Sequence, residues 1–337
     1  MGWTALQLIV VAALAAASPV AQTSAFQRRF DQFDHNGDGK ITAGELRMPN
    51  VFTAADKNGN DAISPEEFAT YVNTRRGVKG RRSQDAAPTA DSVKETEIRY
   101  AKTPGVEANL QSLDIYAPKA AENAPVMIYV HGGGWRKGDK AGVGNKPSFF
   151  NSKGWVFVST NYRLIPHVAF PENVADVAKA IDWVYRNISQ YGGDPNKIFI
   201  MGHSAGAHLV SLVATDPTYL EKCGRTLKDV KGVISLDTQA YDLLEMLDEW
   251  TSDVYSGAFG NDPQLHELAS PLHNVDAERS IPPFLVCYSQ GVPAERVSKK
   301  RAMRAAAFVE KLKQEGFRAE LVDASDRNHG EINQWFG

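Results

Sequence analysis

The sequence contains little cysteine and little net charge. Two cysteines occur in 337 residues, and 37 basic side chains against 40 acidic ones leave a formal net charge of −3. Two cysteines cannot build a disulfide framework, so a hydrophobic core must stabilise the chain. A nearly balanced charge provides no electrostatic footprint for nucleic acid, and we expect no nucleic-acid partner.

An apolar run is found near the N-terminus, but it is short. Residues 6–17 are apolar apart from Gln7, and small residues follow them. A run of about 12 residues does not span roughly 30 Å of hydrocarbon, so we predict no stable membrane span. The pattern is typical of a signal peptide, although no Lys or Arg precedes the run. We therefore predict a signal peptide over residues 1–25 and export to the periplasm or beyond; a short uncleaved surface anchor is the alternative.

A twelve-residue loop with alternating oxygen-bearing side chains follows. Residues 34–45 read DHNGDGKITAGE, and Gly39 permits the sharp turn at the sixth position. Calcium prefers six to eight oxygen ligands, and this order of residues is that of an EF-hand loop. The predicted ligands are Asp34, Asn36, Asp38, the Lys40 carbonyl, Thr42 and Glu45.

A second loop of the same length covers residues 56–67, and its sixth position is Asp61 instead of glycine. Asp tolerates a left-handed backbone better than most residues, but at a cost, and this loop has less negative charge, so we expect weaker binding. Ile41 and Ile63, at the eighth position of each loop, are predicted to pair as a two-stranded ribbon. The predicted ligands are Asp56, Asn58, Asn60, the Ala62 carbonyl, Ser64 and Glu67.

The two loops are close together along the chain, because their first positions are 22 residues apart. The segment resembles the compact EF-hand pairs of exported bacterial proteins, which implies a small all-α domain over residues 26–72 with calcium as a structural or regulatory ion. Dockerin modules have similar spacing, but their loops usually end with Asp, whereas both loops here end with Glu. Residues 73–92 are basic and then rich in Ala, Pro and Ser, and we interpret them as a linker.

Strand-like and helix-like segments alternate over residues 93–337. Short apolar runs at 126–130, 156–159, 198–201, 232–236, 284–287 and 319–322 are separated by segments with helical spacing at 173–188, 204–215 and 302–314. This alternation predicts an α/β domain with a mostly parallel sheet and helices on both faces. Ligands of such sheets bind at the carboxyl ends of the strands.

Two glycine motifs follow predicted strands. Gly202-His-Ser204-Ala-Gly206 comes after the run 198–201 and opens a helix, as a nucleophile elbow does. His131-Gly-Gly-Gly-Trp135 comes after the run 126–130, and its glycines let the backbone approach a substrate oxygen. We predict Ser204 as the nucleophile. The predicted oxyanion-hole donors are the backbone amides of Gly133, Gly134 and Ala205.

These motifs resemble those of α/β-hydrolases with an HGGG loop, close to hormone-sensitive-lipase-like esterases. The stretch 198–209 is also similar to kynurenine formamidases and to carboxylesterases grouped with feruloyl and acetyl-xylan esterases. The resemblance covers nearly all of residues 93–337. It implies hydrolysis of an ester or amide through an acyl-serine intermediate, with no cofactor for catalysis, and it does not specify the substrate.

The remaining catalytic residues differ in how clearly the sequence indicates them. His329 follows the last predicted strand, where the general base of this fold is found. The acid usually follows the seventh strand, but residues 284–293 contain no carboxylate. We favour Asp237, which directly follows the run 232–236, with Glu295, Asp242 and Asp276 as alternatives.

Two classes of function therefore remain open. The favoured one is an exported serine hydrolase, a carboxylesterase that acts on small or carbohydrate-linked esters and has a calcium-binding N-terminal domain. An arylformamidase-like amide hydrolase is the alternative within this class. The other class is a catalytically weak hydrolase fold that serves as a calcium-dependent binding protein, and its support is the missing acid after the seventh strand. Cys223 and Cys287 are expected to be free thiols.

Overall fold

The computed structural model describes residues 30, 34, 36, 38–46, 52, 55–68, 70, 92–249, 253–289, 297–334 and 336. The predicted signal peptide, nearly all of the predicted linker and Glu295 lie outside these residues. The described residues belong to two compact units. We call residues 30–70 the small unit and residues 92–336 the large unit, and each is treated by itself.

The small unit is built around the two predicted loops. Ile41 and Ile63 form an antiparallel bridge, with N···O distances of 3.0 and 2.8 Å between their backbones, which confirms the predicted ribbon. Helix α1 (Ala43–Leu46) begins within the last turn of the first loop, and residues 65–68 are helical at the end of the second. The side chains buried together in this unit are Phe30, Ile41, Phe52, Ala55, Ile63 and Phe68.

The large unit contains one sheet of eight strands. In order across the sheet they are β1 (Ser92–Arg99), β2 (Ser112–Pro118), β4 (Val156–Thr160), β3 (Ala124–Val130), β5 (Gly193–His203), β6 (Val230–Leu236), β7 (Phe284–Ser289) and β8 (Ala319–Ala324). Strands β3 to β8 are parallel, whereas β1 and β2 pair antiparallel. The predicted α/β class and mostly parallel sheet are thus confirmed.

The three predicted helical segments, at 173–188, 204–215 and 302–314, are helical in the structure, which contains further helices that were not predicted. The helices of the large unit are α2 (Lys146–Ser152), α3 (Glu172–Asn187), α4 (Ala205–Thr215), α5 (Pro217–Glu221), α6 (Leu243–Glu249), α7 (Asp253–Phe259), α8 (Pro263–Leu268), α9 (Val297–Gln314) and α10 (His329–Gln334). No helix among the described residues is long and apolar enough to cross a bilayer.

The central strands are buried on both faces. Along β3, Val126, Ile128 and Val130 belong to a core shared with α3, α4 and α9, whereas Met127 and Tyr129 belong to a second core shared with α2 and α10. Successive side chains of a strand point to opposite faces, so helices cover both sides of the sheet. This double burial explains why the sequence of these strands reads as continuous apolar runs.

The strand order changes direction at β3. The chain goes from β3 to β4 on one side and then crosses to β5 on the other side of β3. The carboxyl ends of β3 and β5 therefore flank the crevice at which the connections diverge, and open α/β sheets bind ligands at such a point. The glycine loop follows β3 and the Ser204 turn follows β5, so the topology brings both predicted motifs to this crevice.

Candidate active site and calcium loops

Ser204 lies on a strained turn between β5 and α4. Its φ of 56° is in the left-handed region, and its backbone amide donates to the Leu236 carbonyl at the end of β6 (2.9 Å). A Cβ on Gly202 would collide with the backbone of Gly206, and a Cβ on Gly206 would collide with the Val130 carbonyl. Only glycine fits at both positions, as expected for a turn that presents a serine above the sheet.

The structure brings the side chains of Ser204, His329 and Asp237 together. The Nε2 atom of His329 lies 3.0 Å from the Ser204 hydroxyl, and its Nδ1 atom lies 2.6 Å from a carboxylate oxygen of Asp237. The His329 side chain is 27% exposed, while that of Asp237 is fully buried. The imidazole can therefore accept the serine proton while the carboxylate fixes its tautomer.

Asp237 is held by groups from two other elements. Its carboxylate accepts hydrogen bonds from the amide (2.9 Å) and the hydroxyl (2.5 Å) of Ser289, and the Arg301 guanidinium lies 3.3 Å away. Burial raises the pKa of the Asp237 carboxyl, but the hydrogen bond to His329 and the positive charge of Arg301 outweigh it, so the pKa lies well below its usual range. The carboxylate is thus ionised when it faces the imidazole.

The other carboxylates considered from the sequence are placed elsewhere. Asp242 contacts His273 at 3.1 Å, and Asp276 accepts from the Glu278 amide within a turn. Glu295 lies outside the described residues. Asp237 also begins a turn, in which the Thr238 hydroxyl accepts from the Ala240 amide, and its φ of 56° equals that of Ser204.

The backbone that carries His329 is fixed by contacts that sequence reasoning did not identify. Asn328 caps α10, since its side-chain oxygen accepts from the Gly330 and Glu331 amides, and Glu331 accepts from the Asn328 amide in return. This reciprocal pair is a capping box, and the spacing Asn-x-x-Glu was the signal that could have revealed it.

Two further side chains hold the last turn of α10. The buried Lys146 ammonium donates to the Asn333 carbonyl (2.6 Å), and the Tyr129 hydroxyl donates to the Asn333 side chain (2.8 Å). Burial lowers the pKa of Lys146 to about 7. These contacts fix the axis of α10 and thereby help to orient the histidine at its first position.

His203 stands beside His329 but cannot replace it as a base. Its Nε2 donates to the His329 carbonyl (2.8 Å), and the two rings are 4.6 Å apart. Burial, followed by the neighbouring His329, lowers the pKa of His203 to about 3, so this ring stays neutral. We interpret His203 as a residue that positions His329.

The glycine loop adopts a conformation that suits glycine. Gly133 has a φ of 119° and Gly134 a φ of 61°, and the Gly133 carbonyl accepts from the amides of Arg136 (3.3 Å) and Lys137 (3.2 Å). His131, the first residue of this loop, is buried, hydrogen-bonds the Gly132 carbonyl (2.8 Å) and stacks on Tyr162.

A cleft of about 560 Å³ opens over Ser204. Its lining combines the predicted nucleophile and base, two predicted oxyanion-hole glycines, and two cations. The lining residues are Gly133, Gly134, Arg136, Lys137, His203, Ser204, Val254 and His329. Ala205, the third predicted oxyanion donor, is the first residue of α4 and directly follows the serine.

The first calcium-type loop wraps its backbone amides around its carboxylates. The Asp34 carboxylate accepts from the amides of Asp38 (3.2 Å) and Gly39 (2.9 Å). The Glu45 carboxylate accepts from the amides of Asn36 (3.3 Å) and Thr42 (2.8 Å). The first and last predicted ligands therefore both face the interior of the loop. Their ligand atoms are oxygens, which a hard cation prefers.

The second loop repeats this arrangement. The Asp56 carboxylate accepts from the amides of Gly59, Asn60 and Asp61, and that of Glu67 from Lys57, Asn58 and Ser64. Hydrogen bonds from Ser64 lower the pKa of Glu67, which keeps it ionised. No three His, Cys, Asp or Glu side chains form a metal-binding cluster in the described part of the chain, and each loop also relies on amide, hydroxyl and carbonyl oxygens.

The two predicted free thiols are confirmed. Cys223 is partly buried and Cys287 is buried in β7, and neither forms a disulfide. Burial raises the pKa of the Cys287 thiol far above its usual range, so it behaves as a small apolar side chain.

Comparison with known proteins links both units to described families. The BD-FAE family profile matches residues 113–301, and the EF-hand profile matches residues 26–48. The EF-hand match contains the loop at residues 34–45, and it confirms the predicted EF-hand near the N-terminus.

Among curated proteins, the chain is 35% identical to esterase LipQ of Mycobacterium tuberculosis over 243 residues, which is 68% of this chain and 55% of LipQ. It is 32% identical to esterase LipC of the same organism over 220 residues, which is 60% of this chain and 52% of LipC. The chain thus spans about half the length of these curated relatives.

Among solved structures, esterase B of Lactobacillus rhamnosis matches with a TM-score of 0.60 at 25% identity, over 79% of this chain and 87% of that chain. Thermogutta terrifontis esterase 2 matches with a TM-score of 0.58 at 25% identity, over 73% and 88% of the two chains. These likenesses confirm the predicted α/β-hydrolase fold of the esterase type.

Proposed function

Because the chain belongs to the BD-FAE family, we propose that it is a serine hydrolase of the carboxylesterase type, which cleaves an ester through an acyl-serine intermediate. The observation that carries the proposal is the hydrogen-bonded series Ser204–His329–Asp237, of which Ser204 and His329 line the cleft. LipQ and LipC, which are named esterases, support the same activity.

In the proposed reaction, the Ser204 hydroxyl attacks the ester carbonyl while His329 Nε2 takes its proton. The amides of Gly133, Gly134 and Ala205 stabilise the oxyanion that forms. The intermediate then collapses, His329 returns the proton to the departing alkoxide, and the acyl group remains on Ser204. A water molecule, deprotonated by His329, releases the acid in the same manner.

Asp237 supports both halves of this reaction. Its ionised carboxylate faces Nδ1 of His329 and stabilises the imidazolium that forms when the serine loses its proton. This contact supports the hydrolase over the binding-protein alternative, whose argument was the missing acid after the seventh strand. A carboxylate after the sixth strand performs the same task because β6 and β7 are neighbours in the sheet.

The experiment that tests the proposal is hydrolysis of 4-nitrophenyl acetate by the full chain and by Ser204→Ala. We expect turnover by the wild type and a loss of about 10⁵-fold or more in the variant. Ser211→Ala is a matched control, because Ser211 is buried on α4, the helix that follows Ser204, and its hydroxyl donates to the Ala207 carbonyl. Absence of turnover by the folded wild type would favour the binding-protein alternative.

The substrate class is proposed more narrowly as small or carbohydrate-linked esters. The basis is the similarity of residues 198–209 to feruloyl and acetyl-xylan esterases. A panel of acetylated and feruloylated saccharides, with a formyl anilide as the amide substrate, distinguishes this class from the arylformamidase-like alternative. Faster cleavage of the formyl anilide would assign the chain to that alternative.

For the small unit, the proposed function is calcium binding through the two loops, in a structural or regulatory role. The EF-hand match and the inward-facing carboxylates of Asp34 and Glu45 support it. Calcium supplies no step of the proposed reaction. Titration of the full chain with calcium by calorimetry tests this function, and absence of binding to the folded protein would contradict it.

We propose export on the basis of the apolar run at residues 6–17 and the small residues that follow it. Calcium loops suit a compartment outside the cytoplasm, where the calcium concentration is higher. Cell fractionation of the expressed full chain tests the proposal: recovery in the periplasm or medium is expected, and retention of the whole pool in the cytoplasm would contradict it.

A further inference from the structure

The lining of the cleft is cationic although the chain as a whole is slightly acidic. Arg136 and Lys137 both line it, and no carboxylate is among the lining residues that the structure describes. Asp253 precedes Val254 on the rim and is exposed, but it does not line the cleft. The Asp237 carboxylate is fully buried beneath His329 and is paired with Arg301.

The cations near the glycine loop have different surroundings. Lys140 is buried and forms ion pairs with Glu97 (2.6 Å) and Asp114 (3.3 Å). Arg136 donates to the Asp253 carbonyl at the start of α7, and a Cβ on Gly257 would collide with its guanidinium, so Arg136 fastens the glycine loop to that helix. Both side chains therefore have structural partners.

Lys137 has no such partner among the described residues. The first carbons of its side chain pack against the glycine loop, since a Cβ on Gly133 would lie 3.1 Å from the Lys137 Cγ. Its backbone amide donates to the Gly133 carbonyl (3.2 Å), which fixes the base of the side chain beside the predicted oxyanion donors. The exposed ammonium is thus tethered near the position at which the ester carbonyl would bind.

From this arrangement we propose that the cleft selects esters that carry a negative charge, such as a carboxylate, close to the scissile bond, and that Lys137 is the residue that recognises this charge. The proposal rests on the proposed function and adds the charge of the substrate to it. A lysine ammonium is a mobile point charge that can follow an anion in more than one pose. Lys137 is a specificity-determining residue here and takes no part in bond making.

The size of the effect follows from the exposure of Lys137. An exposed ion pair contributes roughly 0.2–1 kcal/mol, which corresponds to about a fivefold preference at most from one charge. The positive charge of Arg136, which lines the same cleft, adds to the attraction for an anion. Because both charges are accessible to solvent, the preference must weaken as salt shortens the Debye length from about 10 Å at 0.1 M towards about 3 Å at 1 M.

Two matched pairs of esters test the proposal and separate the two sides of the scissile bond. For the alcohol side the pair is 4-acetoxybenzoate and 4-acetoxybenzamide. For the acyl side it is mono-4-nitrophenyl adipate and the same ester with a terminal carboxamide. The readout is the ratio of kcat/KM for the anionic ester to that for its neutral partner, measured in the full chain at low and high salt.

We expect this ratio to exceed one for at least one pair at low salt, to fall about three- to fivefold in Lys137→Gln, and to drop further in Lys137→Glu. High salt should reduce the wild-type ratio towards that of Lys137→Gln. Lys153→Gln, which removes an exposed lysine at the end of α2, serves as the control and should leave the ratio unchanged.

Two results would overturn the proposal. A wild-type ratio of one or less for both pairs at low salt excludes anion selection, while turnover of the neutral esters in the same assay upholds the hydrolase function. A ratio above one that is unchanged in Lys137→Gln and Lys137→Glu excludes Lys137 as its cause.

Discussion

In the large unit the polar site is held between buried elements, whereas in the small unit each loop is wrapped around its own carboxylates. Ser204 and Asp237 directly follow β5 and β6, and His329 begins α10 after β8; two apolar cores on either side of the sheet fix these elements. Six apolar side chains are buried together in the part of the small unit that the structure describes, and hydrogen bonds within each loop orient its ligands.

The difference indicates where each unit obtains its geometry. Packing at native density fixes the site around Ser204 before any substrate binds, and such preorganisation is what oxyanion stabilisation requires. Each calcium-type loop of the small unit, by contrast, holds carboxylates of like charge close together, which is unfavourable until a cation neutralises them. We therefore expect the large unit to keep its geometry in the absence of ligand and the small unit to depend on calcium.

The sharpest test of the large unit is Asp237→Asn. The side chain keeps its size but loses the charge that stabilises the imidazolium, and the histidine loses its fixed tautomer. We expect kcat for 4-nitrophenyl acetate to fall by about 10⁴-fold. The unfolding midpoint in urea should also fall, because the buried Arg301 loses its charged partner, so the rate is measured on protein that circular dichroism shows to be folded. Asp276→Asn, in a turn away from the site, is the control. Turnover at the wild-type rate in Asp237→Asn would remove this residue from the proposed mechanism.

The sequence predicts the parallel part of the sheet well, because strands buried on both faces produce apolar runs. It does not predict β1, whose residues SVKETEIR include four charged side chains and only two apolar ones, since an exposed edge strand is stabilised mainly by pairing with its neighbour β2. The sequence also left open which carboxylate is the hydrogen-bond partner of His329. Asp237 is 92 positions away in sequence, and only the adjacency of β6, β7 and β8 brings the two side chains together.

Calcium removal tests the small unit. Chelation should destabilise it by the free energy of binding, about 2.7 kcal/mol when calcium is at 100 times its Kd. We expect faster hydrogen exchange of the Ile41 and Ile63 amides, whose bridge joins the two loops, and an unchanged kcat for the ester. Glu45→Gln should have the same effect in the presence of calcium. A large loss of kcat on chelation would show that the two units are coupled.

The dependence of the free energy of unfolding on pH measures how much the buried Lys146 ammonium destabilises the large unit. Burial lowers the pKa of Lys146 from 10.5 to about 7. Between these values the unfolded chain binds more protons than the folded one, so the free energy of unfolding rises with pH, by up to about 1.4 kcal/mol per pH unit. Below pH 7 the full penalty applies.

Lys146→Met removes this term. We expect the stability of the wild type relative to Lys146→Met, measured by urea unfolding, to increase from pH 6 to pH 9.5, because other groups cancel in the difference. Lys153→Met, an exposed lysine after the same helix, should show a difference that does not depend on pH. A constant difference for Lys146→Met would mean that this ammonium is not desolvated in the folded protein.

The smallest expected effect concerns the two loops of the small unit. Gly39 and Asp61 occupy the same loop position with φ values of 80° and 58°, but only Asp61 has a Cβ to strain that conformation. Asp61→Gly should therefore strengthen calcium binding at the second loop, by about 1 kcal/mol or roughly fivefold. Asp61→Asn removes the same charge and keeps a residue that tolerates the left-handed backbone, so the affinity of Asp61→Gly relative to Asp61→Asn isolates the strain. Equal affinities of these two variants in calorimetry would show that the turn costs the second loop nothing, and its lower ligand charge would then have to explain any weaker binding.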